Sequence, residues 1–79
     1  MRNKIINILS MKSSIKEELI IDESDLKEDI CLDSLDKVEA CMELEEEFSI
    51  NIIDEAMDKF VTVGDIIKYV ENAVKEWKT

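Results

Sequence analysis

The acidity of this chain is concentrated in one stretch that is also dotted with aliphatic residues, and that coincidence limits the folds open to it. Residues 17 to 65 hold 18 acids against three bases, for −15, while residues 1 to 16 hold Arg2, Lys4, Lys12 and Lys16 with no acid. Unpaired charge is expensive to bury, so elements in the middle stretch must combine a solvated face with an apolar one. The 23 Ile, Leu and Val residues of the chain are too many for a disordered acidic tail. In 79 residues they predict a single domain spanning 1–79, with a modest core.

Composition narrows the chemistry. The absence of His removes the commonest general base and metal ligand. Cys31 and Cys41 are the only cysteines; ten apart, they fit no metal-binding or redox pair and read as reduced thiols of a cytoplasmic protein. A net charge of −10 argues against a nucleic-acid binder, which needs a basic footprint. No window reaches the roughly 18 apolar residues of a membrane span. The basic start, MRNKIINILSMK, is interrupted by Asn7, Ser10 and Lys12 and is not followed by a cleavage signal. A soluble, cytoplasmic monomer with no catalytic residue and no metal of its own is the expectation.

The apolar positions predict helices and no strand. Ile5, Ile8, Leu9, Ile15 and Leu19 lie close to helical spacing in the basic segment. The polar stretch IDESDLKEDICLD follows, a long loop that Leu26, Ile30 and Leu32 could anchor. A second helix starts near Asp33 and Ser34, both good capping residues, and runs to Phe48. Asp54 to Lys59 makes one or two turns. Thr62 with Asp65 caps a last helix carrying Val63, Ile66, Ile67, Val70, Val74 and Trp77 on one face. The fold class is all-α, with three longer helices, one short third helix and a long loop between the first two.

On a wheel at about 100° per residue, Ala40, Leu44, Phe48 and Cys41 of the second helix share an arc broken only by Lys37. Leu35, Val38 and Met42 alternate with Glu39, Glu45 and Glu46 on a second arc. A mixed arc of this kind suits docking of a basic partner. It equally fits a helix buried by three neighbours, with Glu45 reaching past the core to water.

The stretch from Leu32 to Val70 resembles acyl carrier proteins. The resemblance rests on Asp33-Ser34-Leu35-Asp36, on Val38-Glu39, Met42 and Leu44, and on the run Glu45-Glu46-Glu47-Phe48. Ile52, Asp54, Lys59, Thr62-Val63, Ile67 and Tyr69-Val70 continue it at family spacing. It implies a four-helix bundle whose serine, Ser34, is esterified with 4′-phosphopantetheine from coenzyme A. A separate phosphopantetheinyl transferase makes that bond using Mg²⁺. The prosthetic thiol then holds acyl groups as thioesters for other enzymes: acyltransferases, ketosynthases, reductases and dehydratases with basic docking patches. The same carry-over assigns partner contacts to Asp33, Leu35, Asp36, Val38, Glu39, Met42, Glu45, Glu46 and Asp54.

The chain also departs from the family pattern. Ile30-Cys31 stands where Leu-Gly is usual, which predicts a stiffer loop before Ser34, and Ile53 stands where Pro is common. Met57, Phe60 and Ile66 fall at positions that line the family's acyl pocket. If they point inward they reduce or reshape it in favour of short or polar acyl groups; ordinary repacking is the other reading. The EEEF run and the lack of flanking domains look more like a discrete fatty-acid carrier than a synthase domain. A carrier for polyketide or amino-acyl pathways is the alternative within the family.

Other classes fit less well. An acidic helical adaptor without a prosthetic group would share the fold but would not need a modifiable Ser34. The acidic stretch from Asp22 to Asp33 fails the calcium-loop rule, with Lys27 where Gly is needed and Asp33 where a bidentate Glu is expected. An independent enzyme lacks a nucleophile–base pair.

Overall fold

In the computed structural model, residues 2–78 are described, with the side chains of 76–78 left outside that description. The helices are α1 (Arg2–Ser13), α2 (Ser34–Phe48), α3 (Asp54–Lys59) and α4 (Val63–Lys78), with a 3-10 turn at Glu17–Leu19. One core joins them, built on Ile5 and Leu9 of α1, Cys41 and Leu44 of α2, and Val63, Ile66 and Val70 of α4. Trp77, expected on the apolar face of the last helix, falls outside the described side chains.

The first helix is shorter than its apolar spacing predicts. It stops at Ser13, and Ser14 turns left-handed at φ 64° with its N–H on the Ser10 carbonyl at 2.8 Å. Ser10 and Ser13 cause this locally. The Ser10 hydroxyl donates to the Ile15 carbonyl, and the Ser13 hydroxyl accepts from the Ile15 N–H. Short hydroxyl side chains compete with the helix for backbone partners. Ile15 still packs against the core, but Leu19 is 68 % exposed, and Ile6 is buried in the position the spacing gave to others.

The long loop is a structural element, anchored as Leu26, Ile30 and Leu32 suggested; all three are buried, with Ile20 and Ser24. Its backbone pairs with the start of α4. Leu26 N–H donates to Val61 O at 2.9 Å, Val63 N–H to Ser24 O at 3.0 Å, and Gly64 N–H to Asp22 O at 2.8 Å. Buried backbone groups need such partners, so the loop is fixed without forming a strand. Gly64, the chain's single glycine, allows the approach. A Cβ there would meet the Asp22 carbonyl oxygen at 3.2 Å.

Asp25 and Asp65 fold the two facing turns. Asp25 Oδ1 accepts from the N–H groups of Lys27 and Glu28, each at 2.9 Å. Asp65 Oδ2 accepts from Val61 and Thr62 N–H, both at 3.0 Å. In return the Thr62 hydroxyl oxygen accepts from Asp65 N–H, completing the reciprocal cap expected for the last helix. These backbone donors hold both carboxyls below the ordinary value of 3.8.

The segment before α2 carries strain where the family resemblance puts a glycine. Cys31 sits at φ 62°, a left-handed conformation that costs a residue with a Cβ roughly 1–2 kcal/mol. The loop therefore reproduces a glycine geometry without the glycine.

Cys31→Gly relieves the left-handed strain while adding unfolded-state entropy, for a net gain of about 0.5–1 kcal/mol. Cys31→Val adds a β-branched side chain to the same φ and loses about 1–2 kcal/mol; urea unfolding at neutral pH measures both. Because Asp25 and Asp65 bind protons less readily folded than unfolded, their contribution is present above the unfolded value near 3.8. It is lost as pH falls through the lowered folded values. The double variant Asp25→Asn, Asp65→Asn should lose less stability than the native chain between pH 4.5 and 2.5 in acid titrations of urea midpoints.

Candidate functional site

The sequence offers two capping residues at the start of α2, and the fold divides their labour. Asp33 is the cap, in extended conformation at φ −83° and ψ −179°, with Oδ1 accepting from Asp36 N–H at 2.8 Å. Its carbonyl accepts the first helical bond, from Lys37 N–H at 3.0 Å. Ser34 is the first helical residue and is exposed. Among the described residues its hydroxyl has no hydrogen-bond partner. A serine acting as the cap would have spent that oxygen on the backbone; here it stays available.

Ser34 lies on an open groove of about 650 Å³. Cys31 and Leu32 from the loop, Lys37 from α2, and Phe60 with Val61 from the α3–α4 link border it with Ser34. The helix start adds unpaired backbone N–H groups and the positive end of the dipole, a setting favourable to a phosphate ester. An exposed hydroxyl, an anion-friendly helix end and an adjoining groove together fit a phosphodiester-linked arm.

The mixed arc of α2 is largely open to solvent. Leu35 is 67 % exposed, Met42 55 % and Val38 41 %, while Ala40, Cys41 and Leu44 make the buried face expected for them. Asp36 is half-buried and Glu39 and Glu46 are exposed. Asp54 opens α3, exposed, directly after the half-exposed Ile53. Glu45 is different. Its Oε2 accepts from Ile52 N–H at 2.7 Å, and its carbonyl accepts from Ser49 and Ile50 N–H at the left-handed end of the helix.

The acids of α2 fall into two groups according to whether α1 pairs with them. Glu43 pairs with Lys12 at 3.2 Å and Glu47 with Lys4, both across to α1, while Arg2 pairs with Asp22. Basic α1 thus neutralises one flank of α2. Among the described residues, Asp33, Asp36, Glu39, Glu46 and Asp54 have no such ion pair. The charge split between residues 1–16 and 17–65 was the available signal for α1 against α2; which glutamates it would take depends on helix rotation, invisible in composition.

The remaining singled-out residues resolve by burial. Phe60 and Ile66 are buried and Met57 packs partly against the core. Phe60 meets Tyr69 edge to face at 5.5 Å, and the Tyr69 hydroxyl donates to Asn51 O at 3.2 Å. Cys41 is fully buried, and burial pushes its thiol up to about 11, which makes it unreactive at neutral pH. In the acidic stretch from Asp22 to Asp33 four carboxylates are committed elsewhere: Asp22 to Arg2, Asp25 to two amides, Asp29 to Asp25 N–H, and Asp33 to Asp36 N–H. Among the described residues no group of three or more His, Cys, Asp or Glu could hold a metal, and no helix is long and apolar enough to cross a membrane.

Comparison with known proteins agrees with this geometry. The family model described as "Phosphopantetheine attachment site" matches residues 3–70. The acyl carrier protein of Thermotoga maritima is 38 % identical over 69 residues, which cover 87 % of this chain and 85 % of that protein. A crystal structure of an acyl carrier protein from Thermotoga maritima superposes with a TM-score of 0.81 at 32 % identity, covering 94 % of this chain and 86 % of the other. The chain belongs to the acyl carrier protein family, and 4′-phosphopantetheine is the prosthetic group of its attachment site.

Proposed function

We propose that Ser34 is the residue that carries 4′-phosphopantetheine, within a single acyl-carrier domain spanning residues 1–79. The observation that carries this reading is the division of labour at the start of α2: Asp33 performs the capping and leaves the Ser34 hydroxyl exposed and unused. When bound, the group supplies a thiol on a long flexible arm that holds acyl intermediates as thioesters. The chain's own residues position and present it. Ser34 Oγ provides the ester oxygen, the amides at the helix start stabilise the phosphodiester charge, and the groove beside Phe60 and Val61 leaves room for the arm. No residue of the chain needs to act as a base, because a separate phosphopantetheinyl transferase with Mg²⁺ performs the transfer.

The carrier then serves enzymes of fatty-acid or related biosynthesis in the cytoplasm, as a monomer. Acyltransferases, ketosynthases, reductases and dehydratases engage it through basic patches. Asp33, Asp36, Glu39, Glu46 and Asp54 steer them with charge that α1 does not neutralise. Glu45 adds charge while tied to Ile52 N–H. Leu35, Val38 and Met42 supply the apolar contact. The burial of Phe60 and Ile66 supports a second reading within the same role, a specialised polyketide or amino-acyl carrier for short or polar groups.

Incubation with coenzyme A, Mg²⁺ and a broad-specificity transferase should add one phosphopantetheinyl mass to the native chain and none to Ser34→Ala. An unchanged native mass, or the same gain in Ser34→Ala, contradicts the assignment. The pair Asp36→Lys, Glu39→Lys should keep its helix content and slow loading on the order of tenfold at low salt, with the difference shrinking as salt is raised. Equal loading rates at low salt remove these acids from the docking face.

A further inference from the structure

Lys37 is the one charged residue on the core-facing arc of α2, and the fold gives it a specific setting. It is half-buried, and its Nζ donates to the Phe60 carbonyl at 3.0 Å, reaching from α2 to the α3–α4 link. Ser34, Lys37, Phe60 and Val61 line the same groove. In residues 17 to 65, a stretch of −15, two of the three bases, Lys27 and Lys37, border the groove beside Ser34.

The geometry points to Lys37 as the positioning residue for the prosthetic arm: its ammonium holds the phosphodiester at Ser34 and lays the arm along the groove toward Phe60 and Val61. This rests on attachment at Ser34. Residues three apart on a helix are neighbours, with Cβ atoms about 5–6 Å apart, so a lysine stem reaches a phosphate on Ser34 without leaving the groove. An ammonium has three donors. One serves Phe60 O and two remain for phosphate oxygens. Partial burial protects the attraction from salt screening.

The neighbouring charges make the lysine necessary. Asp33 and Asp36 place carboxylates at the same helix end, and Asp25 and Glu28 border the groove from the loop. Asp33 spends part of its charge on Asp36 N–H, and Asp25 on two loop amides. A phosphodiester there still meets net negative charge and swings toward solvent unless a cation offsets it. Lys37 is the cation on the helix turn next to Ser34. Its hydrogen bond to Phe60 O sets the direction in which the phosphodiester is drawn.

The test uses the full chain loaded from coenzyme A, with intact mass confirming the added group before any spectrum is read. Nuclear Overhauser contacts between arm protons and the side chains of Phe60 and Val61 are then compared in the native chain, Lys37→Arg and Lys37→Met. The expected result is contacts in the native chain and Lys37→Arg, and their loss in Lys37→Met, whose stem length is retained without the charge. The ¹⁵N resonance of Lys37 Nζ in the native chain should also shift on loading, a readout that does not depend on how the Met variant folds. Absence of the mass gain overturns attachment at Ser34 and this inference with it. A normal mass gain with an unmoved Nζ resonance, or with identical arm contacts in native and Lys37→Met chains, overturns the role of Lys37 and leaves attachment at Ser34 standing.

Discussion

The pairing of the long loop with the start of α4 holds the bundle in register. Three backbone bonds, from Leu26 to Val61, Val63 to Ser24, and Gly64 to Asp22, join segments far apart in the chain. They bury Leu26 and Ile30 under the bundle, set the strained turn at Cys31 and deliver the chain to Asp33 in the extended conformation a cap requires. Without that anchorage the helix start would be one of several exposed, fraying ends. With it, Ser34 holds a fixed position beside Lys37, Phe60 and Val61.

Charge is arranged to serve the same end. A chain with −10 net charge loses stability to self-repulsion, and basic α1 relieves part of it by pairing with Glu43, Glu47 and Asp22. Exposed pairs of this kind contribute little each, about 0–1 kcal/mol. Their larger effect is spatial, since they neutralise the flank of α2 that faces α1. Among the described residues, Asp33, Asp36, Glu39 and Glu46 have no such pair. The core itself is apolar and owes nothing to them.

Much of this was legible in the residues. The apolar spacing of Val63, Ile66, Ile67 and Val70 marked α4, the Thr62–Asp65 pair its cap, and the motif around Ser34 the family. The family motif carried more information than periodicity did, because the wheel alone left α2 open between a docking face and wide burial. What was not legible depends on contacts distant in sequence. The end of α1 at Ser13 is decided by serine hydroxyls turning back on Ile15, which apolar spacing ignores. That Asp33 rather than Ser34 caps α2 is a matter of one residue in register, and both types cap well. Lys37 looked like a break in an apolar arc until the Phe60 carbonyl appeared opposite it. Cys31 in a left-handed turn was visible only as a departure from the family's glycine.

Attachment at Ser34 rests on the fold offering one suitable hydroxyl among the chain's serines, and site-resolved fragmentation of the transferase-loaded chain checks it. Ser24 is buried with its oxygen accepting from Ile21 N–H, and Ser49 sits in a left-handed helix end, so neither offers the setting of Ser34. The expected product carries the phosphopantetheinyl group on Ser34 alone. The same group on Ser24 or Ser49, or spread over several serines, would contradict it.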